Sequence, residues 1–84
     1  MRTATGKISK FNVTIIAIEA GEKPRQVREA AGIGIDDEYT LSIRGDDFEN
    51  GDDLRSNFPE TAALMESNGI DLDTLRGYIE VINQ

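Results

Sequence analysis

Along the chain the first regular pattern starts at Phe11: Phe11, Val13, Ile15 and Ala17 alternate with Asn12 and Thr14, and Ile16 and Ile18 then make the second half apolar on both sides. A period of two predicts a strand, and apolar residues on both faces predict a central one. The ten residues before it are polar and mixed, which gives a flexible lead-in or an edge strand over 1–10 and a single domain over 11–84. Glu19 to Lys23 reads as a turn, and Pro24 suits a first helical position, where its missing N–H is not needed. Val27, Ala30 and Ala31 then share one helical face, with Gly32 placed to take the left-handed conformation that ends a helix and Ile33 to fold back on Val27.

The cleanest alternation runs from Tyr39 to Arg44. Tyr39, Leu41 and Ile43 fall on one face and Thr40, Ser42 and Arg44 on the other, which predicts a half-buried strand with its apolar side inward. Gly45 to Asp53 reads as an acidic, glycine-punctuated loop. A second helix is expected from about Asn57, capped by that side chain, with Glu60 in the capping-box position and Phe58, Ala62 and Met65 as its stripe. Gly69 and Ile70 repeat the ending of the first helix, with Leu64 placed to receive Ile70. In the last segment Leu72, Leu75, Ile79 and Ile82 fit a helical stripe, whereas Tyr78-Ile79-Glu80-Val81-Ile82 is dense in β-formers and follows Gly77. We read a strand, because Gly77 would cost a helix interior about 1 kcal/mol. The expected fold class is α+β: a small single-layer sheet of three to four strands packed by one or two helices.

Composition narrows the function more than the fold. Hydrophobic residues make up 38% of the 84 and charged residues 30%, enough apolar content for one small core. There is no Cys, so disulfides, thiolate metal sites and thiol nucleophiles are absent together. With no His either, the usual general base near neutral pH and the Ser-His and Cys-His arrangements are missing, and the chain is expected not to be an enzyme. The pairs Asp36-Asp37, Asp46-Asp47 and Asp52-Asp53 lie in polar segments where no burial would raise a carboxyl pKa. No apolar run approaches a membrane span, since Val13 to Ile18 is broken by Glu19 and Gly21, and the first residues lack a signal-peptide pattern; the expected location is cytoplasmic.

Charge is distributed unevenly. Residues 1–35 carry six basic groups against three acidic, net +3; residues 36–84 carry three against thirteen, net −10; together these give the −7 of the whole chain. A negative C-terminal half repels nucleic acid and favours a protein partner with a basic surface. The loop around the isolated Phe48 is the candidate partner-binding site: Asp46, Asp47, Phe48, Glu49, Asp52 and Asp53. Phe48 is either a buried anchor that closes the loop on the core or an exposed contact of the hot-spot type. The same loop places Gly51 sixth when Asp46 is first, as in a calcium loop. Phe48 and Asn57 then stand third and twelfth, where ligands are required, so no metal and no cofactor is expected. Gln26 to Ile33 superficially matches the start of a helix-turn-helix, but Asp36-Asp37-Glu38 would face phosphates of its own sign. The alternative function is an acidic nucleic-acid mimic that inhibits a nucleic-acid-binding protein, for which ten net negative charges are a sparse array.

The segment Pro24-Arg25-Gln26-Val27-Arg28-Glu29-Ala30-Ala31-Gly32-Ile33, followed by Tyr39-Thr40-Leu41-Ser42-Ile43, resembles the helix and following strand of bacterial ubiquitin-like proteins. Asn68-Gly69-Ile70-Asp71-Leu72-Asp73-Thr74-Leu75, closed by Tyr78-Ile79-Glu80-Val81-Ile82, is similar to the last turn and strand of β-grasp domains. Two departures stand beside this. Only one clear strand precedes the first helix unless Arg2 to Ser9 supplies its partner, and the sequence ends Ile82-Asn83-Gln84 in place of Gly-Gly. The resemblance implies a small protein-interaction module that is not conjugated as written, or a precursor that is processed before conjugation.

Overall fold

The computed structural model describes residues 2–34 and 37–83. Its elements follow the order β1 (Arg2–Ile8), β2 (Phe11–Ile18), α1 (Pro24–Ala30), β3 (Tyr39–Ile43), α2 (Gly51–Asn57), α3 (Pro59–Ser67) and β4 (Gly77–Asn83). The four strands form one sheet in the order β1-β2-β4-β3, and each neighbouring pair is antiparallel. The α+β class with a single-layer sheet is therefore the architecture observed. The lead-in is an edge strand: Arg2 to Ile8 pairs along its length with Phe11 to Ala17 across a turn at Ser9 and Lys10.

Alternation along β2 divides the core into two parts. Val13, Ile15 and Ala17 point to one face, where they meet Ala4, Phe48, Leu54, Ala62, Met65, Ile70, Leu72, Leu75 and Tyr78. Ile16 and Ile18 point to the other, where they meet only Val27 and Ile79 as fully buried partners. The first face is covered by α2, α3 and the 68–76 segment, and the second by α1 alone. Because α1 buries just Val27, the second face is only partly roofed. At 7 residues α1 is too short to be stable by itself, so its position depends on that contact and on its two ends.

Both helix endings anticipated from glycine are present. Gly32 has φ 74°, and the Ile33 N–H donates to the Arg28 carbonyl at 3.2 Å; Gly69 has φ 78°, and the Ile70 N–H donates to the Met65 carbonyl at 3.0 Å. These are six-to-one closures that satisfy end carbonyls and bring Ile33 and Ile70 back toward the core.

Three expectations need correction. The helix expected from about Asn57 is α3, but a further helix, α2, precedes it where the pattern predicts a loop to Asp53, and Asn57 ends that helix instead of capping α3. The side chain that caps is Asn50, whose Oδ1 accepts from the Asp53 N–H at 3.1 Å, while the Asp53 carboxylate accepts from the Glu49 N–H at 2.9 Å. Phe58 lies between the two helices and is 41% exposed, so Thr61, Ala62 and Met65 form the buried stripe. The third correction concerns β3: Ser42 is buried and Leu41 is 39% exposed. The alternation is as expected, but the thicker apolar layer lies on the face that carries Ser42.

Candidate functional site

Asp46, Asp47, Phe48, Glu49, Asp52 and Asp53 all lie between β3 and the first turns of α2, and most of them are occupied by the structure of that segment. Phe48 is 4% exposed, with its ring 6.1 Å from that of Tyr78, so it is the buried anchor and not an exposed contact. The Asp47 carboxylate accepts from the Ile43 N–H at 3.3 Å and the Asp53 carboxylate from the Glu49 N–H at 2.9 Å. Asp52 lies 2.9 Å from Arg55, whose guanidinium also reaches Glu66 at 3.0 Å and Asp73 at 3.9 Å. The loop is further held by Arg44, which donates to the Glu49 carbonyl at 2.6 Å and the Asp73 carbonyl at 3.1 Å. Short polar side chains in such positions are the ordinary means of closing turns and helix starts. The Asp36 of the Asp36-Asp37 pair lies outside the described residues, and Asp37 accepts from the Gly34 N–H at 2.6 Å.

A different site appears on the thinly roofed face. Between α1 and β3 lies an open groove of about 600 Å³, lined by Lys23, Pro24, Arg25, Arg28, Tyr39, Leu41 and Ile79. Its floor is built by register. Leu41 pairs with Ile79 and Tyr39 with Val81, so these side chains share the α1 face of the sheet, and Pro24 closes the far wall. Its rim is cationic. Lys23, Arg25 and Arg28 follow one another along the start and body of α1, in a chain of net charge −7.

Arg28 is the best-defined polar group of this groove. Its guanidinium donates to the Tyr39 hydroxyl at 2.6 Å and lies 5.7 Å from the centre of that ring. Its Nε is buried and meets no hydrogen-bond partner among the described residues. Arg25 has Glu29 within 3.7 Å, but both side chains are largely in water, where such a pair contributes little. Sequence reasoning missed this site because its lining comes from three separate segments. The available signal was the run Lys23, Arg25, Arg28 on a short helix in an acidic chain, beside a strand whose apolar face had no sequence-adjacent cover.

On the opposite face the phenol of Tyr78 is pushed above its ordinary pKa, chiefly by burial; a hydrogen bond with Ser42 works the other way, and Glu80 and Asp47 add to the rise. The group is an internal bridge between β4 and β3. No helix is long and apolar enough to cross a membrane among the described residues. No family model, no curated protein and no solved structure matches this chain.

Proposed function

We propose that this protein is a small interaction module that works by binding another protein, with the α1–β3 groove as its working surface. The observation that carries the reading is the combination found there: an apolar floor that includes the exposed Leu41, walled by three cations, with a buried guanidinium nitrogen that has no partner among the described residues. Exposed apolar area ringed by charge is the usual composition of a recognition surface. The lack of His and Cys supports binding over catalysis. The reading is drawn from this surface and does not depend on the ubiquitin-like resemblance. It also reverses the sign of the partner suggested by overall charge, since the groove favours an acidic guest. Imitation of nucleic acid has less behind it, because Asp52, Glu66 and Asp73 converge on Arg55 and so weaken the array it would need.

The chain has no Cys, so Leu41→Cys creates a unique thiol in the groove for a photo-cross-linker, and Ser56→Cys places one on α2 as a control. Adducts with specific proteins are expected from position 41, not from 56, and are expected to disappear when Arg28→Glu is added. Equal adducts from both positions, or none from 41, would sink the reading.

A further inference from the structure

We infer that the groove takes an extended acidic segment of a partner protein, added as a fifth strand on the open edge of β3. This rests on the groove being the working surface. The register of the sheet decides which way β3 presents its backbone. The Arg44 N–H donates to the Arg76 carbonyl at 2.8 Å and the Ile82 N–H to the Glu38 carbonyl at 3.4 Å. Antiparallel alternation then turns the backbone groups of Thr40 and Ser42 toward β4, and those of Tyr39, Leu41 and Ile43 away from the sheet.

Ile43 is already occupied. Its N–H donates to Asp47 Oδ2 at 3.3 Å, and its carbonyl accepts from the Asp46 and Asp47 N–H groups at 3.0 and 3.2 Å. The outward N–H and carbonyl groups of Tyr39 and Leu41 take no partner among the described residues. The aspartate that seals one end of the edge therefore also limits the open stretch to these two residues.

The same two residues supply the floor of the groove. A strand laid along their backbone would bring alternate side chains into line with Tyr39 and Leu41 on the α1 side, toward Lys23, Arg25 and Arg28. Main-chain pairing gives such a guest its hold, and the side chains give it selection. Charge complementarity chooses the guest: an apolar residue suits Leu41 and Ile79, and a carboxylate two residues along, on the same face, suits Arg28, whose Nε has no partner among the described residues. The other sheet edge is not equivalent. On the same face β1 offers Thr3, Thr5 and Lys7, so it has pairing groups but no apolar floor.

The test uses the full chain, ¹⁵N-labelled, and three synthetic octapeptides: a Val-Glu peptide, (Val-Thr-Glu-Thr) repeated twice so that Val and Glu fall on one face; a Val-Lys peptide with Lys in place of each Glu; and the Val-Glu peptide N-methylated at alternate positions so that it cannot complete a ladder. The Val-Glu peptide is expected to shift the amides of Tyr39 and Leu41 and to slow their exchange with solvent. The Val-Lys and N-methylated peptides, and Arg28→Gln with the Val-Glu peptide, should each bind about tenfold more weakly or worse, the loss of one charge-assisted or several neutral hydrogen bonds. Unchanged melting of Arg28→Gln separates recognition from stability. The proposal is overturned by equal binding of the N-methylated or Val-Lys peptide, by shifts confined to β1, or by no binding at millimolar peptide. A short RNA that competes for the same amides, or a dimer in sedimentation that already covers β3, also overturns it. Cross-links from position 41 without selective peptide pairing would leave the interaction reading standing and remove only the added strand.

Discussion

At the scale of single residues, Phe48 and Tyr78 determine whether the acidic segment is held down. Phe48 enters the core from a loop whose other members are almost all polar, and its ring packs on Tyr78 at the centre of the sheet. Phe48→Ala should cost about 3–5 kcal/mol, the usual range for a buried aromatic. That is a large share of the roughly 5–15 kcal/mol that holds a small domain together. Urea unfolding would show a free-energy loss of that size as a lowered midpoint at unchanged slope, while Phe58→Ala, on the exposed side of the α2–α3 junction, should stay within about 0.5 kcal/mol. A small effect at Phe48 would mean that the loop is not anchored as described. The sequence allowed both roles for Phe48, because an aromatic flanked by acids has the same local pattern whether its ring points in or out. Burial decided between them, and burial depends on Tyr78, thirty positions away in the chain.

Tyr78 carries a pH consequence. Its folded pKa lies above the unfolded value of about 10, so the folded state keeps the proton longer. The stability linked to this group is therefore complete below pH ~10 and lost as pH rises through the folded pKa. Tyr78→Phe should be less stable at neutral pH by about 1 kcal/mol, for the missing hydrogen bond with Ser42, but should lack this alkaline loss. Chemical denaturation at pH 8 and above pH 10 checks it: the gap between the two proteins should narrow at the higher pH. Parallel behaviour would show that the phenol is solvated.

At the scale of elements, legibility tracked how much of the pattern was local. The endings at Gly32 and Gly69 were readable because a left-handed glycine followed by an apolar residue is a motif within one turn. Helix α2 was not readable as a helix, since Gly51 to Asn57 contains the single apolar residue Leu54 and so has no periodicity; the Asn50 and Asp53 pair was the only start signal. For β3 the alternation was legible but its inward side was not. Which face is covered depends on where α2 and α3 dock, and the groove beside Leu41 follows from the same fact.

The start of β4 shows a related case. Gly77 argued for a strand over a helix on propensity, whereas its reason in the fold is steric: a Cβ there would lie 2.6 Å from the Ser42 carbonyl oxygen and 3.3 Å from the Ile43 Cα. Backbone cannot rotate aside as a side chain can. Gly77→Ala should force β3 away from β4 and cost about 1–3 kcal/mol, the range for overpacking. Gly6→Ala is the comparison, because there the nearest atom is the Cδ1 of Leu64, the far end of a flexible side chain. Thermal melts should rank Gly77→Ala well below Gly6→Ala, and the β3 amides should exchange faster in the former. Equal melts would mean that the β3–β4 contact is looser than the register implies.

For the whole molecule, the governing quantity is a net charge of −7 carried on a body of 32 × 31 × 22 Å. The described ion pairs are few and exposed, with side chains such as Arg25 and Asp52 almost fully in water, so each contributes little. Long-range repulsion has the larger reach. At 0.01 M salt the screening length is about 30 Å, as long as the protein, and every carboxylate acts on every other; at 0.1 M it is about 10 Å and only neighbours interact. Unfolding separates the charges, so repulsion destabilises the compact state and screening should restore it. Melting temperature should therefore rise as sodium chloride goes from about 0.01 to about 0.3 M, a range over which screening tightens but hydrophobic salting effects are still weak. Arg55 gives the internal check. Hydrogen bonding to Glu66 leads the causes that hold its charge in place, with Asp52 and Asp73 adding to it, so Arg55→Ala removes a cation from a cluster of three acids. That variant should gain more from added salt than the parent does. A melting temperature that falls with salt in the parent would mean that the ion pairs outweigh the repulsion, and that the acidic surface holds the fold together more than it strains it.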